Sequence, residues 1–542
     1  MKAHFDRIAK SVMATMLSAE PIRATGMGEH AYDQLLPDYT RSGREALAVA
    51  LDELLTELDA VDDLELVLED QVDLEILRAA ITRSLFELRE VKSVTWNPMV
   101  WNPGTGLHLL LSRDFAPIAD RLVSVNARLE AIPRFLADAQ AELGEMPRIH
   151  VETAIGQFHG TLALVQGEIS ELLGANSPSV LAAQASLTTF INWLQDQLAV
   201  ANRDPRLGAH LYSAMLWHAL DSDTQAGDLL AQANTYLIKT ESALVEAAAK
   251  YLDEPATSSN LVARALDDVA AKYPVTNDNV LQQVSESLAR TIAFLDEVPL
   301  VSMPITDVQV IEMPEIHRGV AVAYCDSPGP LEETDLPTFV AVAPTPASWD
   351  VERIDSFFRE YNGVQLHDLT IHEADPGHVL QMAHSRRTEK TTRVRALGRS
   401  SVFIEGWAVY AEELMIDAGY LPVDDQRSAH ALRLQQLKMQ ARMIINAILD
   451  VRVHTNDIDE TEALDLMMRR GFQEEGEAVG KWRRALLTAG QLPTYFVGYL
   501  AVSEIAADLM VLHPQWSQCE LHDFMLAHGS PAPRHLRTLL GL

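Results

Sequence analysis

Two imidazoles and a carboxylate stand close together in His372-Glu373-Ala374-Asp375-Pro376-Gly377-His378, the side chains from which a hydrolytic metal centre is built. In a helical H-E-x-x-H site the histidines lie four apart, about 400° around the axis, so both rings face one ion while the adjacent glutamate reaches an activated water. Here they lie six apart. Six residues of regular helix turn through about 600° and leave the second ring some 120° away, so an unbroken helix cannot offer both to one metal. Pro376 has no N–H to give the carbonyl of His372, and Gly377 tolerates unusual dihedrals. The expectation is a helix that bulges there, with two residues looped out and His378 returned to the angular position of a second ligand. The alternative is that His372 ends one helix, His378 sits in the next, and neither binds metal.

A catalytic zinc takes three protein ligands and leaves the fourth position to water. The segment Phe403-Ile404-Glu405-Gly406-Trp407-Ala408-Val409-Tyr410-Ala411-Glu412-Glu413 supplies a candidate third ligand, Glu405, 27 residues after His378. Glu412, about 700° further on, shares its face and is the candidate to fix a ligand histidine from behind. Glu413 points elsewhere and is expected in solvent. For each glutamate taken alone, a surface charge is the competing reading.

The two segments resemble the signatures of the bacterial proteins grouped as domain of unknown function 885, H-E-x-x-P-G-H followed by E-G-W-A-x-Y-x-E, which stand here as His372 to His378 and Glu405 to Glu412. The likeness extends to Ala24-Thr25-Gly26-Met27-Gly28, to Ala323-Tyr324 and to Leu492-Pro493-Thr494-Tyr495-Phe496-Val497-Gly498-Tyr499. That family is similar to the gluzincin metallopeptidases, mainly helical enzymes with zinc in a deep cleft. The resemblance implies one zinc held by His372, His378 and Glu405, with Glu373 as catalytic base. A D-x-x-x-H element of relatives matches Asp450-Val451-Arg452-Val453-His454, and an S-Y-x-x-G element matches Thr494 to Val497 and Gly498 with threonine in place of serine. Val379 stands where many relatives carry another histidine. A phenol and an imidazole suit a developing oxyanion, so Tyr495 and His454 are the candidate donors. Asp450 joins Glu412 as a candidate support behind the reacting groups. His367, His384 and His430 are read as structural.

The elements that must position these residues are mostly helical. Residues 40–300 carry apolar side chains at three- and four-residue spacing, for example Leu229, Leu230, Ala233, Tyr236 and Leu237. The main break is Trp96 to Gly104, whose two Asn-Pro steps favour turns and whose tryptophans are expected to anchor the loop. Between 304 and 346 prolines punctuate short alternating runs, Asp307 to Ile311 and Thr338 to Val342, so a small sheet is expected. Helical periodicity returns from Trp349, and no repeat of 20 to 50 residues is visible. The expected fold is mainly α with a small sheet around 304–346, and the family resemblance implies a large gluzincin-like multi-helix assembly with a deep cleft. Residues 1–300 would form one wall of the cleft and 301–542 the sheet and catalytic helices, together one unit of the family.

With 542 residues, 48% hydrophobic and 22% charged, the composition is globular. Acidic residues outnumber basic ones 77 to 43, and the net charge of −34 repels phosphate backbones and anionic lipids, so neither nucleic acid nor membrane is an expected partner. The acidic run from Asp52 to Asp70 is expected to be solvated helix face. Cys325 and Cys519 alone encode no disulfide framework or thiolate zinc site, which points to a reducing, cytoplasmic setting. Met1 to Glu20 lacks a small-x-small cleavage site and is expected to be an amphipathic helix. No window of about 18 uninterrupted apolar residues exists. The leading functional reading is a zinc-dependent oligopeptidase or carboxypeptidase acting on short peptides. The alternatives are a metal-dependent hydrolase or lyase of a non-peptide amide or amino-acid-derived metabolite, and a catalytically silent peptide-binding protein, which would have no chemical need for Glu373. Oligomeric state is left open.

Overall fold

The computed structural model describes residues 1–313, 323–346, 349–387, 392–423 and 425–542. Helix makes up 71% and strand 3%, which is the mainly α class with one small sheet. Two compact units form, the first from Met1–Pro205 with Pro328–Leu336 and Thr392–Gly398, the second from Arg206–Ser327, Pro337–Thr391 and Arg399–Leu542.

In the first unit, the helix Lys2–Ala19 is amphipathic as its pattern predicts, with Phe5, Ile8, Ala9, Val12 and Leu17 buried. The acidic run is solvated except at Asp70, which is buried and accepts from Lys2 Nζ at 2.9 Å. The core lies among Ile118–Glu142, Arg148–Leu164 and Pro178–Gln197, where Leu129, Ile132, Phe158, Leu187 and Phe190 interlock. Trp101 is fully buried and its indole donates to the Val94 carbonyl at 2.9 Å, while that of Trp96 donates to Val91 at 2.9 Å, so both tryptophans anchor their loop. The short helix Arg393–Leu397 joins this unit through Arg395, whose Nε donates to buried Asp73 at 3.0 Å.

The second unit holds the sheet, with strands β1 (Val308–Glu312), β2 (Ala323–Asp326) and β3 (Thr338–Val342) in the order β1-β3-β2. β1 runs parallel and β2 antiparallel to β3, the central strand, where Val340, Ala341 and Val342 are buried. Both expected strand runs fall in β1 and β3, and Pro314 lies outside the described residues. The 29-residue helix Gln426–His454 is buried nearly all round and packs along Ala226–Leu252, as a helix without a solvent face must. Around it stand Gly363–Glu373, His378–Arg387, Ser401–Asp417, Glu475–Leu487 and Thr494–Leu512. Thr494–Leu512 is, among the described residues, the one helix long and apolar enough to cross a bilayer. It carries Glu504 and Asp508 and buries Phe496, Val502, Ile505 and Leu509 against other helices of the unit.

Candidate metal centre

The helix that carries His372 begins at an Asn362 cap, whose side chain accepts from the Gln365 N–H at 3.2 Å, and stops at Glu373. Ala374 leaves helical geometry at φ −114°, ψ −110°, and a new helix starts at His378. The bulged single helix expected from the spacing is therefore corrected to two helices joined by a turn. Gly377 packs onto the end of the first helix so closely that a Cβ would sit 2.0 Å from the His372 carbonyl oxygen and 2.3 Å from that of Ile371. A side chain cannot fit there, which is why proline is followed by glycine. The indole of Trp407, fully buried, donates to the Pro376 carbonyl at 2.8 Å and clamps the turn from the neighbouring helix.

The turn brings the two rings together despite their six-residue separation, with centroids 4.8 Å apart and planes at 82°. Glu405, on Ser401–Asp417, places Oε2 3.6 Å from His372 Nε2 and 3.6 Å from His378 Nε2. One ligand atom from each of the three lies within 4.8 Å of the others, so the group could hold a metal ion. Metal–ligand bonds of about 2.0–2.2 Å in a tetrahedron give ligand-to-ligand edges of about 3.3–3.6 Å, and the two His–Glu edges have that length. Glu412, two turns along the Glu405 helix, accepts from His372 Nδ1 at 2.6 Å, which turns Nε2 toward Glu405. The three side chains keep 11–18% of their surface accessible, so they are largely but not wholly withdrawn from solvent.

Charge is concentrated here. Burial alone would lower the His372 imidazole, but Glu405 and Glu412 outweigh it and hold it well above its ordinary value. Burial opposes ionisation of Glu405, yet the two imidazoles win and pull its carboxyl down. Burial pushes Glu412 and Glu373 up, with His372 partly offsetting both. Three carboxylates around two imidazoles make a pocket that attracts a cation. Glu373 follows His372 directly and its Oε2 accepts the Cys325 N–H of β2 at 3.0 Å, so the sheet holds this carboxylate.

Tyr495 comes to the centre through a helix crossing. Gly406 and Gly498 meet backbone to backbone: a Cβ on Gly498 would lie 2.1 Å from the Val402 oxygen, and one on Gly406 2.3 Å from the Gly498 carbonyl carbon. Glu405 and Tyr495 flank this contact, and the Tyr495 phenol is pushed up by burial and by the Glu405 charge. Arg484 Nη2 donates to its hydroxyl at 3.4 Å. Asp450 touches none of the ligands. It is fully buried and accepts from Tyr212 OH and the Gly490 N–H, each at 2.8 Å, fixing the loop that leads into the Tyr495 helix. His454 is placed elsewhere: its Nε2 hydrogen is taken by the carbonyls of Ala485 and Thr488 at 3.1 and 2.8 Å, and its Nδ1 accepts from Leu207 at 3.4 Å. With both nitrogens committed to backbone, it has no hydrogen for an oxyanion, and the donor role expected of it is withdrawn.

Glu413 is half-buried and bonded to Tyr499 at 2.5 Å, not free in solvent. His367 meets Tyr420 OH at 2.7 Å and His384 the Ser302 carbonyl at 2.7 Å, structural contacts as expected. The clamp by Trp407, the Cys325 amide and Arg484 are site features that the sequence reading did not assign. Trp407 and Gly406 stood in the motif, but their work is visible only across helices.

A mainly helical protein with a His-His-Glu centre is the class this fold and site define. The family described as bacterial protein of unknown function (DUF885) matches residues 21–540, and the chain belongs to it. No curated protein matches the chain. A candidate lipoprotein of unknown function from Shewanella oneidensis is similar at 25% identity and a TM-score of 0.82, covering 99% of this chain and 100% of that one. A candidate lipoprotein from Colwellia psychrerythraea shares the fold at 15% identity and a TM-score of 0.79, over 99% of both chains. The M32 carboxypeptidase from Deinococcus radiodurans R1 is a remote likeness, at 10% identity and a TM-score of 0.42 over 100% of this chain and 96% of that one.

Proposed function

We propose that the chain is a zinc-dependent hydrolase that cleaves amide bonds in short peptides, with His372, His378 and Glu405 holding one zinc and Glu373 acting as general base. The observation that carries the reading is the approach of both Nε2 atoms to one Glu405 oxygen at 3.6 Å, directly beside Glu373. Zinc bound there supplies Lewis acidity, polarising a carbonyl and lowering the pKa of water toward 7. Glu373 takes the proton of the attacking water at its carboxylate and returns it to the departing amine. Tyr495 donates its phenolic hydrogen where oxyanion charge develops, and Glu412 keeps His372 in the tautomer that faces the centre. Asp450 positions Tyr495 through the Gly490 loop.

Metal analysis of the purified chain, followed by hydrolysis of a mixed short-peptide library with and without chelator and added zinc, tests this. Chelator-sensitive, zinc-restored cleavage is expected. Turnover of non-peptide amides alone would transfer the same machinery to a metabolite. A cytoplasmic location rests on the two cysteines, while the Shewanella and Colwellia chains carry a lipoprotein description; cell fractionation decides between a cytoplasmic and an envelope setting for this chain.

A further inference from the structure

The helix Glu475–Leu487, which meets Tyr495 through Arg484, carries an unusual group. Lys481 is only 8% exposed, yet it has no hydrogen-bond or ion-pair partner among the described residues. The two carboxylates that act on it electrostatically are also engaged elsewhere: Glu477 on Arg442 at 2.5 Å, and Glu360 on Lys438 at 2.9 Å with Arg442 at 3.6 Å. Arg484, three residues on and so on the same helix face, donates to Gln491 at 2.8 Å and to Tyr495 OH at 3.4 Å, both neutral, and pairs with no carboxylate among the described residues. Glu360, Glu477 and Glu474 are the carboxylates that act on Lys438, Arg442 and Lys481, and Glu474 also serves Arg359 at 2.7 Å, so with Arg484 the cationic side chains here outnumber the acidic ones in a chain whose net charge is −34. Burial and the neighbouring Arg442 and Arg484 push the Lys481 ammonium well below its ordinary range, the signature of a cation held without its counter-ion. Such a group is costly to keep unless an anion arrives to complete it.

We infer that Lys481 and Arg484 form a subsite that binds a carboxylate of the substrate, with Tyr495 linking it to the His372–His378–Glu405 centre. The inference rests on the hydrolase reading for its setting, although binding can be measured without turnover. An anion between a guanidinium and an ammonium on one side, and the scissile carbonyl by the metal ligands on the other, describes a peptide with a free C-terminal acid or with an acidic side chain near the cleaved bond.

The test uses full-length Glu373→Gln protein loaded with zinc and calorimetric titration with three probes: penta-alanine free acid, its C-terminal amide, and the amide of Ala-Ala-Asp-Ala-Ala. The free acid, the aspartyl peptide or both should bind at least tenfold more tightly than penta-alanine amide, and Lys481→Met or Arg484→Gln should erase that preference. Preference for the free acid identifies a terminal carboxylate, and preference for the aspartyl peptide a side-chain carboxylate. Arg484→Lys, which keeps the charge, should restore part of the preference, and melting curves of each variant check that it folds. Equal binding of all three probes, or a preference that survives both substitutions, overturns the subsite. Failure of the hydrolase reading shows separately, as selective binding to this protein while the parent chain with zinc cleaves none of the peptides.

Discussion

The Trp407 indole donates to the Pro376 carbonyl at 2.8 Å, so one signature of the chain clamps the turn inside the other. The turn is what brings His378 back to His372, and Trp407→Phe keeps a smaller aromatic ring there while removing the indole N–H. The variant should fold and bind zinc about 10- to 100-fold more weakly, the range seen when groups behind metal ligands are lost. Competition with a chromogenic chelator measures it. Unchanged affinity would mean that packing alone holds the turn.

Parent protein should carry one zinc per chain, and His378→Ala should lose it while remaining folded. Glu412→Gln should retain a weakened site, because the amide can still contact Nδ1 but no longer supports it with a charge. Elemental analysis after dialysis reads both. Stoichiometric metal in folded His378→Ala would place the second ligand elsewhere.

Glu373→Gln should keep zinc and fold, and lose turnover by about 10²-fold or more, since an amide cannot accept the water's proton. The check is kcat on any peptide the parent cleaves. A variant with near-parental kcat would remove Glu373 from the proton path.

Tyr495→Phe and His454→Phe should fail in opposite ways. Loss of an oxyanion donor lowers kcat and kcat/KM together, by about 10²- to 10³-fold where one such donor has been removed, and leaves KM and the melting temperature nearly unchanged. His454, locked to Ala485 and Thr488, should instead lower the melting temperature while sparing turnover per folded molecule. A Tyr495→Phe protein that melts early but turns over normally would make Tyr495 a packing residue.

His367 makes folding pH-dependent. Burial pushes its imidazole down to about 4 from an ordinary 6.5. As pH falls, the unfolded chain takes up the proton first, so the stability tied to neutral His367 is complete above about 6.5 and is lost progressively between there and about 4. A shift of that size corresponds to at most about 3 kcal/mol. Urea unfolding at pH 7 and pH 4.5 should show a smaller acid loss in His367→Asn than in the parent; equal losses would assign the acid limb to other groups.

The sequence by itself determined the helical class, because apolar spacing along 40–300 and beyond 349 repeats with the turn of a helix, and the small sheet, because Asp307 to Ile311 and Thr338 to Val342 alternate. It also determined which residues could form the centre: the seven-residue step from Glu405 to Glu412 is a property of one helix, and both now face His372. Tertiary structure decided how the histidines meet. The periodicity of one helix predicted a bulge, but the stop at Glu373 is enforced by Gly377 against the helix end and by Trp407 from another helix, and no local pattern encodes a contact between segments 31 residues apart. His454 shows the same limit from the other side. A histidine in a polar motif looks available for chemistry until the carbonyls of Ala485 and Thr488 are seen to occupy it, since hydrogen-bond satisfaction belongs to the packed chain and not to the residue type.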